Sequence, residues 1–262
     1  MKRIGLLATI AAVAVGCSGS TGSGVFAFRA SAAGPERDAT KPFSFVTPTG
    51  WAVTLTRAKI RVGPVYVNHA VAVSQGRASF GYSGGRYIAQ VEGQIVVDAL
   101  SPAPTAFDVP GTAVEEIAQT GEVWLYPDGG DDETVIVDVA GVATRDNVTI
   151  PFAGGLPIDA GWQPPVSAET PGESPLNALR HVPDVPVAFR TVRGGELLVR
   201  VDPAHWFDGV FDFASLVPNG TDAAKNFRLG GAGLASDATT VAIFRGIHAH
   251  ESVYQFAWRM PL

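Results

Sequence analysis

The residues best suited to chemistry in this chain are its histidines, and two of them stand close together in "GIHAHE". His248 and His250 are two apart. In an extended backbone both imidazoles would point to one face with Cα atoms about 6.5 Å apart, close enough to share one metal ion. Glu251 adjoins them. His69, in "VYVNHAV", ends an alternating run and is the natural third ligand, whereas His205 and His181 are less well motivated. A site of imidazole and carboxylate without thiolate suits copper or zinc. The plainer expectation is a pair of exposed histidines in the turn leading into the last strand.

Other constellations are weaker. "GYSGG" (81–85) matches a nucleophile elbow around Ser83, but "RYIAQVE" after it alternates like a strand where an elbow requires a helix. No catalytic residue is assigned, and an enzyme is not expected. "PDGGDDE" (127–133) offers Asp128, Asp131, Asp132 and Glu133, yet the spacing is not that of a calcium loop, so a solvated acidic hairpin is the better reading. Of the tryptophans, Trp124 and Trp258 lie in alternating strands and are expected to face the core, while Trp162 beside "QPP" is expected near the surface.

Cys17 is the single cysteine, so no disulfide can form within the chain. It follows "MKR" and an apolar run, "IGLLATIAAVAV", which is shorter than the roughly 20 residues that cross a bilayer core. Ala14, Val15, Gly16 and Cys17 resemble a bacterial lipobox. That resemblance implies a signal peptide over residues 1–16 and lipidation of Cys17, hence an extracytoplasmic protein anchored in the cell envelope. Ser18 in place of an Asp favours the outer membrane. "SGSTGSG" then reads as the start of a flexible tether over 17–42.

The elements that must position any site are strands. The chain has 262 residues with 30 Gly, 19 Pro and a net charge of −6. It carries no Lys/Arg cluster after the signal, which argues against nucleic acid. Period-two runs such as "WAVTLTR", "AKIRVGPVYV", "GEVWLYP" and "GELLVRVD" are punctuated by Gly, Pro, Asp or Asn, and no long period of 3.6 appears after the signal. These runs predict an all-β antiparallel sandwich over 43–262 with long loops. In "VDPAHWFDG", Asp202 ahead of Pro203 predicts a capped short helix or 3₁₀ turn burying Trp206 and Phe207. "LNALR" predicts one helical turn within the proline-rich 161–186.

Two stretches, "AKIRVGPVYV" and "VRVDPAHWFDGV", resemble the methanobactin-associated copper-binding proteins. That resemblance implies an extracytoplasmic β-sandwich and raises the prospect of copper, but carries no ligand role onto any histidine or tryptophan here. The expected function is therefore a non-enzymatic binding lipoprotein, its partner an envelope protein or a small ligand. The alternative is a copper- or zinc-binding protein using His248, His250 and His69.

Overall fold

Alternating side chains can bury one face only if sheets pack on one another, and that is the architecture observed. The structure, a computed structural model, describes residues 24–69, 87–126, 135–158, 175–209, 212–218, 225–228 and 238–261. Cys17, the "GYSGG" and "PDGGDDE" segments and Trp162 lie outside the described residues.

The first strands are β1 (Phe26–Ala33), β2 (Phe43–Val46), β3 (Ala52–Val62), β4 (Val65–Asn68), β5 (Tyr87–Val91) and β6 (Ile95–Asp98). The short β7 (Thr105–Ala106) and β8 (Gly111–Ala113) precede β9 (Ile117–Trp124), β10 (Val137–Arg145) and β11 (Val148–Leu156). Helix α1 (Pro175–Arg180) leads into β12 (His181–Arg190) and β13 (Glu196–Val201). After β14 (Val217–Pro218) and β15 (Lys225–Arg228) come α2 (Ala238–Ile247), α3 (His250–Val253) and β16 (Tyr254–Arg259).

Nine strands form one sheet in the order β12-β9-β4-β5-β8-β1-β13-β16, with β7 paired to β1. Seven form the other in the order β14-β15-β11-β10-β3-β2, with β6 paired to β3. The larger sheet curls until β16 returns beside β12, where Phe189 stacks on Trp258 with centroids 6.2 Å apart. Most pairings are antiparallel, as expected. Two are parallel, β1 with β13 and β11 with β15.

The chain passes repeatedly between the sheets, and the first direct crossing is at Gly63 and Pro64. There the run "AKIRVGPVYV" divides into β3 of one sheet and β4 of the other. Gly63 has φ +123°, and a Cβ on it would stand 2.1 Å from the Gly93 carbonyl oxygen. Only glycine fits so tight a corner.

Between the sheets lies a core of Val, Ile, Leu and aromatic side chains, in which Phe152, Phe207 and Phe213 meet one another and Trp51 packs on Phe213. The 3₁₀ turn Pro203–Phe207 forms as predicted: Asp202 accepts from the Ala204 N–H at 3.0 Å, and Trp206 and Phe207 are fully buried. The helical turn expected at "LNALR" is α1.

Two expectations are corrected. The folded body begins by Phe26 rather than near Phe43, because Phe26, Phe28, Ala30 and Ala32 alternate into the core and β1 is an interior strand. Residues 238–247 are helical although rich in Thr, Val and Ile, since burying Ile243, Phe244 and Ile247 outweighs the modest helix cost of β-branching. Among the described residues no helix is long and apolar enough to cross a membrane.

Candidate functional site

Strand β9 carries the feature that separates this sheet from an ordinary one. Val123 is buried in the core, so Thr120, Glu122 and Trp124 project from the other face. Register brings partners to that face from the two neighbours of β9 and from β5 beyond β4. Tyr66 stands opposite Glu122 and Asn68 opposite Thr120 on β4, His181 stands opposite Trp124 on β12, and Tyr87 of β5 pairs with Asn68. These residues are polar yet covered: Asn68 is 0%, Glu122 2% and His181 5% exposed.

The Glu122 carboxylate gathers them. Asn68 Nδ2 donates to Oε1 at 2.7 Å, while His181 Nε2 and the Tyr87 hydroxyl reach Oε2 at 3.1 and 3.4 Å. A carboxylate only accepts, so the proton of His181 is assigned to Nε2, and in the neutral ring Nδ1 carries the lone pair. The same carboxylate fixes the Asn68 amide, because the opposite orientation would set oxygen against oxygen. Among the described residues, Asn68 Oδ1 and Trp124 Nε1 are then two of the buried side-chain polar atoms without a hydrogen-bond partner, the others being Trp51 Nε1, Trp206 Nε1 and the Tyr254 hydroxyl away from this face. Each such orphan costs about 1–3 kcal/mol. Stability alone would favour an apolar cluster here.

His181 is held from three sides. Its ring stacks on the Trp124 indole with centroids 4.3 Å apart and planes 12° from parallel. Its edge meets Glu122. The chain ahead of it is pinned at Arg180, whose Nε donates to the Ile158 carbonyl at 2.9 Å and whose own carbonyl accepts from Leu125 N–H at 2.8 Å. The Arg180 guanidinium also lies 5.8 Å from the Tyr126 ring centroid. Ile158, the acceptor of that bond, has φ +52°. A β-branched residue there costs on the order of 1–3 kcal/mol and persists only where surrounding contacts impose it.

The residues selected from sequence lie elsewhere. The backbone of "GIHAHE" is not extended: His248 follows the last turn of α2, its N–H donating to Phe244 O at 3.1 Å, and His250 opens α3. The extended backbone expected for this segment is therefore corrected. The His248 ring packs on Phe244 at 4.0 Å, with Nδ1 2.9 Å from Phe244 O and Nε2 2.7 Å from Leu179 O. His69 follows β4 and meets Glu116 and the Ile117 carbonyl through Nδ1 at 3.3 and 3.2 Å. His205 bonds Asp208 at 2.5 Å within its 3₁₀ turn. The side chain of His250 is outside the described residues. Among the described residues no three His, Cys, Asp or Glu side chains gather as a metal centre.

Asn68, Glu122 and His181 were not singled out as a set by sequence reasoning. Trp124, expected in the core, instead carries the site's histidine. The available signal was the glutamate in "GEVWLYP", a charge at an inward-reading parity of a strand otherwise apolar.

No protein-family model matches the chain, and no curated protein matches it. Among solved structures it is similar to MbnP from Methylosinus trichosporium, with 12% sequence identity and a TM-score of 0.37, over 90% of this chain and 98% of that one. A likeness this weak transfers no residue role.

Proposed function

We propose that this chain is a lipid-anchored, extracytoplasmic binding protein whose β domain holds a small ligand at the Glu122–His181 face. The observation that carries the reading is the pair of buried, unpartnered polar atoms beside a buried carboxylate. Asn68 Oδ1 seeks a donor and Trp124 Nε1 an acceptor, so a small molecule with both would recover what folding left unsatisfied. The anchoring part rests on the lipobox-like Ala14–Cys17 segment. Changing Cys17→Ser is expected to move the protein from the membrane to the soluble extracytoplasmic fraction, and an unchanged membrane fraction would defeat that part.

Transition-metal binding is the second reading, favoured by one specific feature. An imidazole whose N–H is held by a carboxylate presents its other nitrogen in fixed orientation, the arrangement usual behind metal-bound histidines. His181 would be one ligand, through Nδ1. Titrating zinc(II) and copper(II) into wild type and His181→Ala separates the readings: tight binding lost in the variant supports the metal, and equal affinity in both counts against it.

A further inference from the structure

We infer that His248 is a positioning residue for His181, acting through the Leu179 carbonyl across the junction of α1 and β12. This rests on the reading of the Glu122–His181 face as a binding centre. The sequence places His248 far from that face, yet its Nε2 lies 2.7 Å from Leu179 O, two residues ahead of His181. Leu179, Arg180 and His181 are thereby each fixed from a different part of the fold. His248, just after α2, holds Leu179, Ile158 and Leu125 hold Arg180, and Glu122 and Trp124 hold His181.

The chemistry of the contact makes it directional. Both ring nitrogens of His248 face carbonyl oxygens, Phe244 O in its own helix and Leu179 O outside it. A neutral imidazole has one N–H, so only one carbonyl receives a proton. Burial keeps this ring neutral, its pKa pushed down to about 4. The shorter contact is the one to Leu179. The N–H is therefore assigned to Nε2, and the bond spans elements rather than closing on its own helix.

A structural role for the Phe244 stacking predicts only a change in stability when His248 is replaced. A positioning role predicts a change at the other ring. Long-range ¹H–¹⁵N correlation spectra of the ligand-free, ¹⁵N-labelled full chain in detergent read the tautomer of each histidine. In wild type, His248 is expected as the Nε2–H form. Finding it as Nδ1–H overturns the inference without any variant, because that ring would turn a lone pair to Leu179. In His248→Phe, which keeps an aromatic ring on Phe244, His181 is expected to lose its single Nε2–H state and show averaged nitrogen shifts. His248→Gln, with an amide N–H able to reach Leu179, is expected to restore it. His181 signals unchanged in His248→Phe would overturn the inference. These spectra need no ligand, so failure of the binding reading and failure of the positioning role remain distinct results.

Discussion

The imidazole of His181 lies flat on the indole of Trp124, 4.3 Å away and 12° from parallel, while its edge reaches Glu122. Face and edge are thus fixed by two residues of one strand, spaced so that they share a side of the sheet. Replacing Trp124→Phe keeps a ring under the histidine and removes a buried N–H without a partner, and is expected to change stability by less than about 1 kcal/mol. Trp124→Leu removes the stack and is expected to cost roughly 0.5–1.5 kcal/mol beyond the loss of buried area. Urea unfolding of the two variants checks the difference, and equal losses would deny the stack a role.

His248 gives the fold an acid sensitivity of defined sign. Its folded pKa, lowered to about 4 mainly by burial, lies below the unfolded value near 6.5. The unfolded chain therefore takes the proton first. Stability is retained above about pH 6.5 and lost as pH falls toward 4, by on the order of 3 kcal/mol from this group. His248→Phe lacks that contribution, so its melting temperature is expected to fall less between pH 7 and pH 5 than that of wild type. Parallel falls would contradict this assignment.

Gly246 tests packing against propensity. Alanine in a helix is favoured over glycine by about 1 kcal/mol, yet a Cβ at this position in α2 would stand 2.3 Å from the Trp206 carbonyl oxygen. Backbone cannot yield as a side chain does. Gly246→Ala is expected to destabilise by about 1–3 kcal/mol in spite of its propensity, as measured by denaturant midpoint. A gain in stability would mean that α2 does not sit this closely on the 3₁₀ turn.

The parts of the fold legible in the sequence are those decided by neighbours in the chain. Alternation identifies the strands, and Asp202 before Pro203 identifies the capped turn that buries Trp206 and Phe207. β1 is missed because its inward positions include Ala30 and Ala32, whose small side chains give little hydrophobic contrast. α2 is missed because Thr239, Thr240, Val241 and Ile243 favour strands locally. The site is hidden for another reason. Asn68 and Glu122 are 54 residues apart, and Glu122 and His181 59 apart. Their meeting depends on strand order and register, which no local pattern encodes.

The central claim is that the Asn68–Glu122–His181 face binds a small molecule, and native mass spectrometry of the protein purified gently from its host tests it most directly. Wild type is expected to retain a non-covalently bound mass beyond any acyl groups on Cys17. Glu122→Gln, which withdraws the charge and sets an amide NH2 against either the Asn68 donor or the Tyr87 and His181 donors, is expected to lose that mass while remaining folded by circular dichroism. No non-covalent mass in either protein, or an equal one in both, would contradict the claim.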